Sequence, residues 1–270
     1  MRGGQPRESA MEHGLFQTIY ARLQISELDG SSPNPNRPPL NTTTRGPLQP
    51  QAQFWKLLRD VSRSCSKIQS ITKRSSQGLG VIPADLTETL KGAFSVHLQL
   101  LAWEASLPAE LKYQACVIPE MACDNGQPAL PTKFISFTGI PQGAMWIAFW
   151  CSRIHIIQNL ALGLDILRRI SDDALELAIS KNDLQTHVLK MADDICASVA
   201  YMLGDIDEKG DLKVGSKVKA VGPYFMLRGL LVVNMVDDIP TAQRRWVQEC
   251  LLRIGHQWGI KTALRSRMNC

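Results

Sequence analysis

The sequence predicts an all-α protein, a multi-helix bundle of antiparallel helix layers. Three observations predict it. Apolar residues recur at spacings of three and four through most of the chain after Phe54. One stretch, from about Gly143 to Arg169, is apolar over most of a helical circumference, as a helix buried among others must be. No segment alternates with period two for long, and Phe134 to Phe137 is the only short strand candidate. Helices without a sheet to cover them pack in layers on one another.

Taken in order, the chain first passes through a polar leader. Residues 30–51 hold Pro33, Pro35, Pro38, Pro39, Pro47 and Pro50 among Ser, Asn and Thr, a composition that buries almost nothing. Residues 1–51 are therefore expected to be an N-terminal tail and a disordered linker. Leu15, Ile19, Tyr20 and Leu23 hint at a short amphipathic helix within the tail. The helical domain is expected over residues 52–270.

Phe54, Leu57, Leu58, Val61, Cys65 and Ile68 mark one apolar face of the first body helix. A second helix is expected from about Asp85 to Ser106, opened by Pro83 and stopped by Pro108, with Val96, Leu100, Leu101 and Trp103 buried. Residues 117–143 hold four prolines and three glycines and read as an irregular insertion. The central helix follows, with Trp146, Trp150, Ile154, Ile157, Leu160, Leu164 and Leu167 on its stripe. Leu184, Val188, Met191, Ile195, Val199 and Met202 predict a single amphipathic helix ended by Gly204. Pro223 opens or kinks an apolar helix through Val236. Pro240 starts the last, which carries Trp246, Val247, Cys250, Leu251, Ile254 and Trp258 and ends at Gly259.

At 270 residues and 44% apolar composition the chain can build a sizeable core. Its net charge of +5 permits an acidic partner. The longest apolar run, Met226 to Val236, is interrupted by Arg228 and Asn234 and is too short to span a bilayer. The seven cysteines are an odd number without paired spacing, and Met1 to Ala10 has no signal-peptide core. Free thiols and residence in the nucleus or the cytoplasm, away from membranes, are the expectation.

Chemistry-bearing motifs each have a plainer reading. Asp172-Asp173-Ala174-Leu175-Glu176 is similar to the D-D-x-x-E acids with which class I terpene cyclases hold magnesium. That chemistry needs a second acidic set on a facing helix. Asn182-Asp183 lies too near and is followed by Thr186 and Lys190 in place of acids. Helix capping and the helix dipole account for acids just after Ser171. No C-x2-C spacing, G-x-S-x-G elbow or complete phosphate loop occurs, and His155 and His187 lack a partner ligand at helical spacing. No enzyme, metal site or cofactor is expected. Lys56, Arg59, Arg63 and Lys67, continued by Arg74, line up opposite the apolar face of the first body helix. A solvated helix face is their ordinary role, and weak phosphate contact is the functional alternative.

Three stretches resemble the fungal-specific regulatory domain that follows the binuclear zinc cluster of fungal transcription factors. Leu98-Gln99-Leu100-Leu101-Ala102-Trp103-Glu104-Ala105-Ser106-Leu107-Pro108 is similar to the family's L-x-x-W-x-x-x-L-P segment. Trp146 to Leu162, with Arg153 inside it, resembles its long central helix. Gly222-Pro223, Arg244-Arg245-Trp246, Gly255 and Gly259 follow as in its closing helices. The resemblance covers roughly residues 85–265. The family's six-cysteine cluster has no counterpart, since no cysteine precedes Cys65. The resemblance thus implies only the regulatory half: a helical, nuclear module acting through protein partners or self-association, touching DNA indirectly or non-specifically. A cytoplasmic interaction scaffold is the competing reading.

Overall fold

The computed structural model describes residues 50–117, 131, 133–171, 181–211 and 221–265. The chain divides between Pro47 and Leu48, and all of these residues belong to the second unit. The predicted tail and linker as far as residue 49, the tail helix at Leu15 to Leu23 and the Asp172–Glu176 string lie outside the described residues. Pro50 and Gln51, expected in the linker, are instead the start of the first helix, where a proline lacks no needed N–H.

Helix α1 (Pro50–Ser76) buries Phe54, Leu57, Leu58, Val61, Cys65 and Ile68, the predicted stripe. It stops at Gly78, whose φ of 69° lets the Leu79 N–H reach back to the Arg74 carbonyl at 3.0 Å. Helix α2 (Pro83–Ser106) carries proline in its first turn, where the missing N–H costs nothing. Its buried row is Leu86, Leu90, Ala93, His97, Leu100 and Trp103. Val96 and Leu101, expected inside, are only half-buried. The series at spacings of four and three that faces the core passes through a histidine.

The expected irregular insertion holds more order than proline and glycine content suggests. After a 3-10 turn at Ala109–Leu111, strand β1 (Gln114–Val117) pairs antiparallel with β2 (Lys133–Ser136), Gln114 opposite Ser136 and Val117 opposite Lys133. Helix α3 (Ile140–Ile170) then starts three residues before the predicted point, with Pro141 in its first turn.

Every residue of α3 from Gln142 to Ile154 is buried, because α1, α2, α4 and α6 all pack on this one helix. The predicted amphipathic helix at 184–202 is two pieces, α4 (Lys181–Ala197) and α5 (Val199–Met202). Between them Ser198 turns its hydroxyl onto the carbonyls of Asp194 (2.8 Å) and Ile195 (3.0 Å), which competes with the helical ladder. Helix α6 (Val221–Asn234) lies on α3, α4 and α5, and α7 (Thr241–Trp258) lies on α6. Gly259, at φ 68°, caps α7 as predicted, and a short α8 (Lys261–Arg265) folds back on it. Among the described residues no helix is long and apolar enough to cross a membrane.

Candidate functional site

The segments singled out in the sequence gather in two places. The first is the junction of α1, α2 and α3. Trp103 is buried and stacks on Phe54 with ring centroids 4.5 Å apart. Phe149 and Trp146 of α3 stand 5.4 and 6.4 Å from it. The Trp103 indole donates to the Pro50 carbonyl at 2.8 Å, which ties the start of α1 to the end of α2. Leu107 is buried, whereas Pro108 is exposed and leads into the 3-10 turn. That turn is held onto α3 by the Trp146 indole, which donates to the Leu111 carbonyl at 2.9 Å. The Gln142 amide donates to the carbonyls of Glu110 and Lys112. Tyr113 is thereby set edge-on against Trp146 (4.7 Å) and Trp150 (5.4 Å).

Arg153 sits one turn further along α3, buried, with its guanidinium 5.5 Å from the centre of the Phe149 ring. Its Nη1 reaches Glu104, the residue after Trp103, at 3.5 Å. Nearby, Lys133 of β2 forms an ion pair with the buried Asp194 of α4. These groups feel one another electrostatically. Burial pushes the Glu104 carboxyl above its usual range, opposed chiefly by Arg153. Burial pulls the Arg153 guanidinium down, and Glu104 and Asp194 hold it up. The Tyr113 phenol is pushed up to about 12 by burial and then by Asp194 and Glu104. On α2, His97 is pulled down to about 4 by burial and by Arg153. Its Nδ1 and the Nε of Arg153 are buried with no hydrogen-bond partner among the described residues. The result is a polar cluster that welds α2, α3, α4 and the hairpin under an aromatic roof. Sequence reasoning pointed to Trp103 and Arg153 only. Glu104 stands at an unspecified position of the motif that holds Trp103, and Tyr113, Lys133 and Asp194 belong to no motif.

The second place is the C-terminal end, where the singled-out residues serve close packing. A methyl group on Gly222 would stand 2.0 Å from the Met202 carbonyl oxygen, so only glycine lets α6 meet α5 there. Pro223 is buried beside it. A methyl on Gly255 would meet the Leu264 side chain at 2.3 Å. Trp246 is half-exposed, and so is Trp258, which the apolar stripe had placed in the core. Among the described residues α7 packs chiefly on α6 and the short α8, with Gln243 reaching Asp193 and Cys196 of α4 and Arg253 paired with Asp205.

On α1, Lys56, Arg59, Arg63, Lys67 and Arg74 are all exposed. Asp183 is exposed in the first turn of α4, and His187 is exposed on the same helix. Burial pulls half-buried His155 down to about 4. Burial likewise pushes the thiols of Cys65, Cys196 and Cys250 up to about 12 and that of Cys151 to about 11, away from thiolate chemistry. Among the described residues no group of three or more His, Cys, Asp and Glu is placed to hold a metal ion. No family model, curated protein or solved structure matches the chain.

Proposed function

We propose that the helical body is a transcription-regulatory module, similar to the effector half of a fungal zinc-cluster transcription factor and working in the nucleus through protein partners or self-association. The observation that carries this reading is a convergence. The L-x-x-W-x-x-x-L-P segment and the aromatic start of the central helix, read separately along the chain, meet at Trp103, Trp146 and the Glu104–Arg153 pair. Motif residues that pack on one another are what a shared helical framework requires. In this reading the module has no base-reading element of its own, and the C-terminal glycines serve helix contact.

Fusing the full chain to an unrelated DNA-binding domain in a fungal reporter strain tests it. Reporter expression rises or falls with the fusion if the chain is a regulatory module. A flat reporter, with the fusion restricted to the cytoplasm, contradicts it and supports an interaction scaffold instead.

A further inference from the structure

One helix carries the charge excess of the whole chain. The chain has a net charge of +5. Helix α1 alone holds Lys56, Arg59, Arg63, Lys67, Lys73 and Arg74 against a single acid, Asp60. At 3.6 residues per turn, five of these cations (Lys73 is the exception) fall within about 80° of one another, opposite the buried face. From Lys56 to Arg74 the row runs about 27 Å at 1.5 Å per residue. Asp60 is bonded to Arg63 at 3.2 Å, and Arg74 donates to the Gly80 carbonyl at 3.1 Å. Lys56, Arg59 and Lys67 have no acidic partner among the described residues.

A face that only meets water gains from alternating signs at spacings of three and four, and loses from like charges there. On α1 the pairs 56/59, 59/63 and 63/67 place like charges at those spacings. Two end positions have a local reason, since Lys73 and Arg74 complement the helix C-terminus. Of the other four, only Arg63 has one, its ion pair with Asp60; Lys56, Arg59 and Lys67 have none among the described residues. Exposed Ser66 and Ser70 add hydroxyl donors to the same side. Arg, Lys and Ser are side chains that bond phosphate oxygens.

We propose that this face of α1 docks the phosphate backbone of a nucleic-acid duplex without reading its bases. A lipid surface fits less well, because an interfacial helix must give its apolar face to the bilayer and that of α1 is sealed against α2 and α3. An acidic protein segment fits less well too. Protein interfaces rest on buried apolar or aromatic anchors, and no large apolar side chain of α1 is exposed. The inference does not rest on the regulatory reading, since α1 lies outside the stretch that carries the resemblance.

Fluorescence anisotropy of the full chain with two labelled 20-base-pair DNA duplexes of unrelated sequence tests it. Both duplexes should bind alike, with a log–log salt slope of about −4 for four to five phosphate contacts. The variant K56Q/R59Q/R63Q/K67Q should bind at least about tenfold more weakly in low salt and show a flatter slope. All four side chains are exposed, so circular dichroism should report an unchanged fold. The control R168Q/R169Q, which removes exposed cations from α3, should bind as wild type does. Several results would each overturn the proposal: no binding in low salt, full binding by the quadruple variant, a strong preference for one duplex, or equal or tighter binding of poly-glutamate or phosphatidylserine vesicles.

Discussion

Two helices carry tryptophans on an apolar stripe, and the fold treats them differently. On α3, Trp146 and Trp150 are enclosed from every side, within an aromatic group that includes Phe54, Trp103, Tyr113 and Phe149. On α7, Trp246 and Trp258 are half-exposed, although they too lie on an apolar row in the sequence. The difference is the number of covering elements. Among the described residues four helices, α1, α2, α4 and α6, pack on α3, whereas α7 packs on α6 and the short α8 and is otherwise tied only by side chains, Gln243 to α4 and Arg253 to Asp205. An apolar stripe tells which side of a helix turns inward. It does not tell how many neighbours wait there.

The largest contrast is therefore between tryptophans. Trp150→Ala should destabilise by about 3–5 kcal/mol, a loss that approaches the whole stability of a marginal domain. Trp258→Ala should cost about 1 kcal/mol, an ordinary value for a partly exposed site. Urea unfolding of both variants measures the difference, and equal costs would break the comparison.

Next come two glycines at the C-terminal end. Gly222→Ala drives a methyl into the Met202 carbonyl, which belongs to backbone and yields only if α5 and α6 separate. About 2–3 kcal/mol should be lost. Gly255→Ala meets both Cδ2 and Cγ of Leu264, so the short α8 must shift, but no backbone atom is struck and the cost should stay below that at Gly222, about 1–2 kcal/mol. A larger loss at Gly255 than at Gly222 would show that α8 is held as firmly as α6.

A smaller effect is expected from pH. His97 and His155 both titrate near 4 in the fold and near about 6.5 when unfolded. Their stability contribution is complete above the unfolded value and is lost as pH falls from about 6.5 towards 4. Glu104 and Asp193, whose carboxyls burial raises, act in the opposite sense, adding stability as pH falls through their raised values. Melting should occur at a lower temperature at pH 5 than at pH 7, and His97→Gln should shrink that drop. A melting temperature that rises between pH 7 and pH 5 would show that the carboxylates dominate.

Thiol labelling should leave stability untouched while mapping the same contrast. Cys116 on β1 is exposed and should alkylate within minutes in the native protein. Cys65, Cys151 and Cys196 are buried and should stay unmodified until the body unfolds. Mass spectrometry of iodoacetamide-treated protein reads both.

Much of the architecture was legible before any coordinates, and the exceptions have physical causes. Periodicity placed α1 almost residue by residue and located α2, α3, α6 and α7, because each must turn a continuous apolar row inward. Leu100 and Trp103 of α2 are buried as expected, but Val96 and Leu101 were expected inside because His97 occupies a core position that an apolar pattern skips. β1 was invisible because Gln114-Ala115-Cys116-Val117 does not alternate, and its strand character comes from pairing with β2. The polar cluster was mostly illegible for a related reason. Arg153 and Glu104 are 49 residues apart, and Lys133 and Asp194 are 61 apart, so only the packing of α2, α3, α4 and the hairpin brings them together.

Elements that move on binding tend to come from the less stable parts of a fold. α7 and α8, packed by fewer elements, are the less stable part of the described fold and α3 the more stable. Native-state hydrogen exchange tests this division most directly. Amides of Met145 to Ile157 on α3 should exchange only through global unfolding. Those of α7 should open by sub-global steps about 1–2 kcal/mol or more below the global value. Protection of α7 equal to that of α3, or opening of α3 first, would contradict the account.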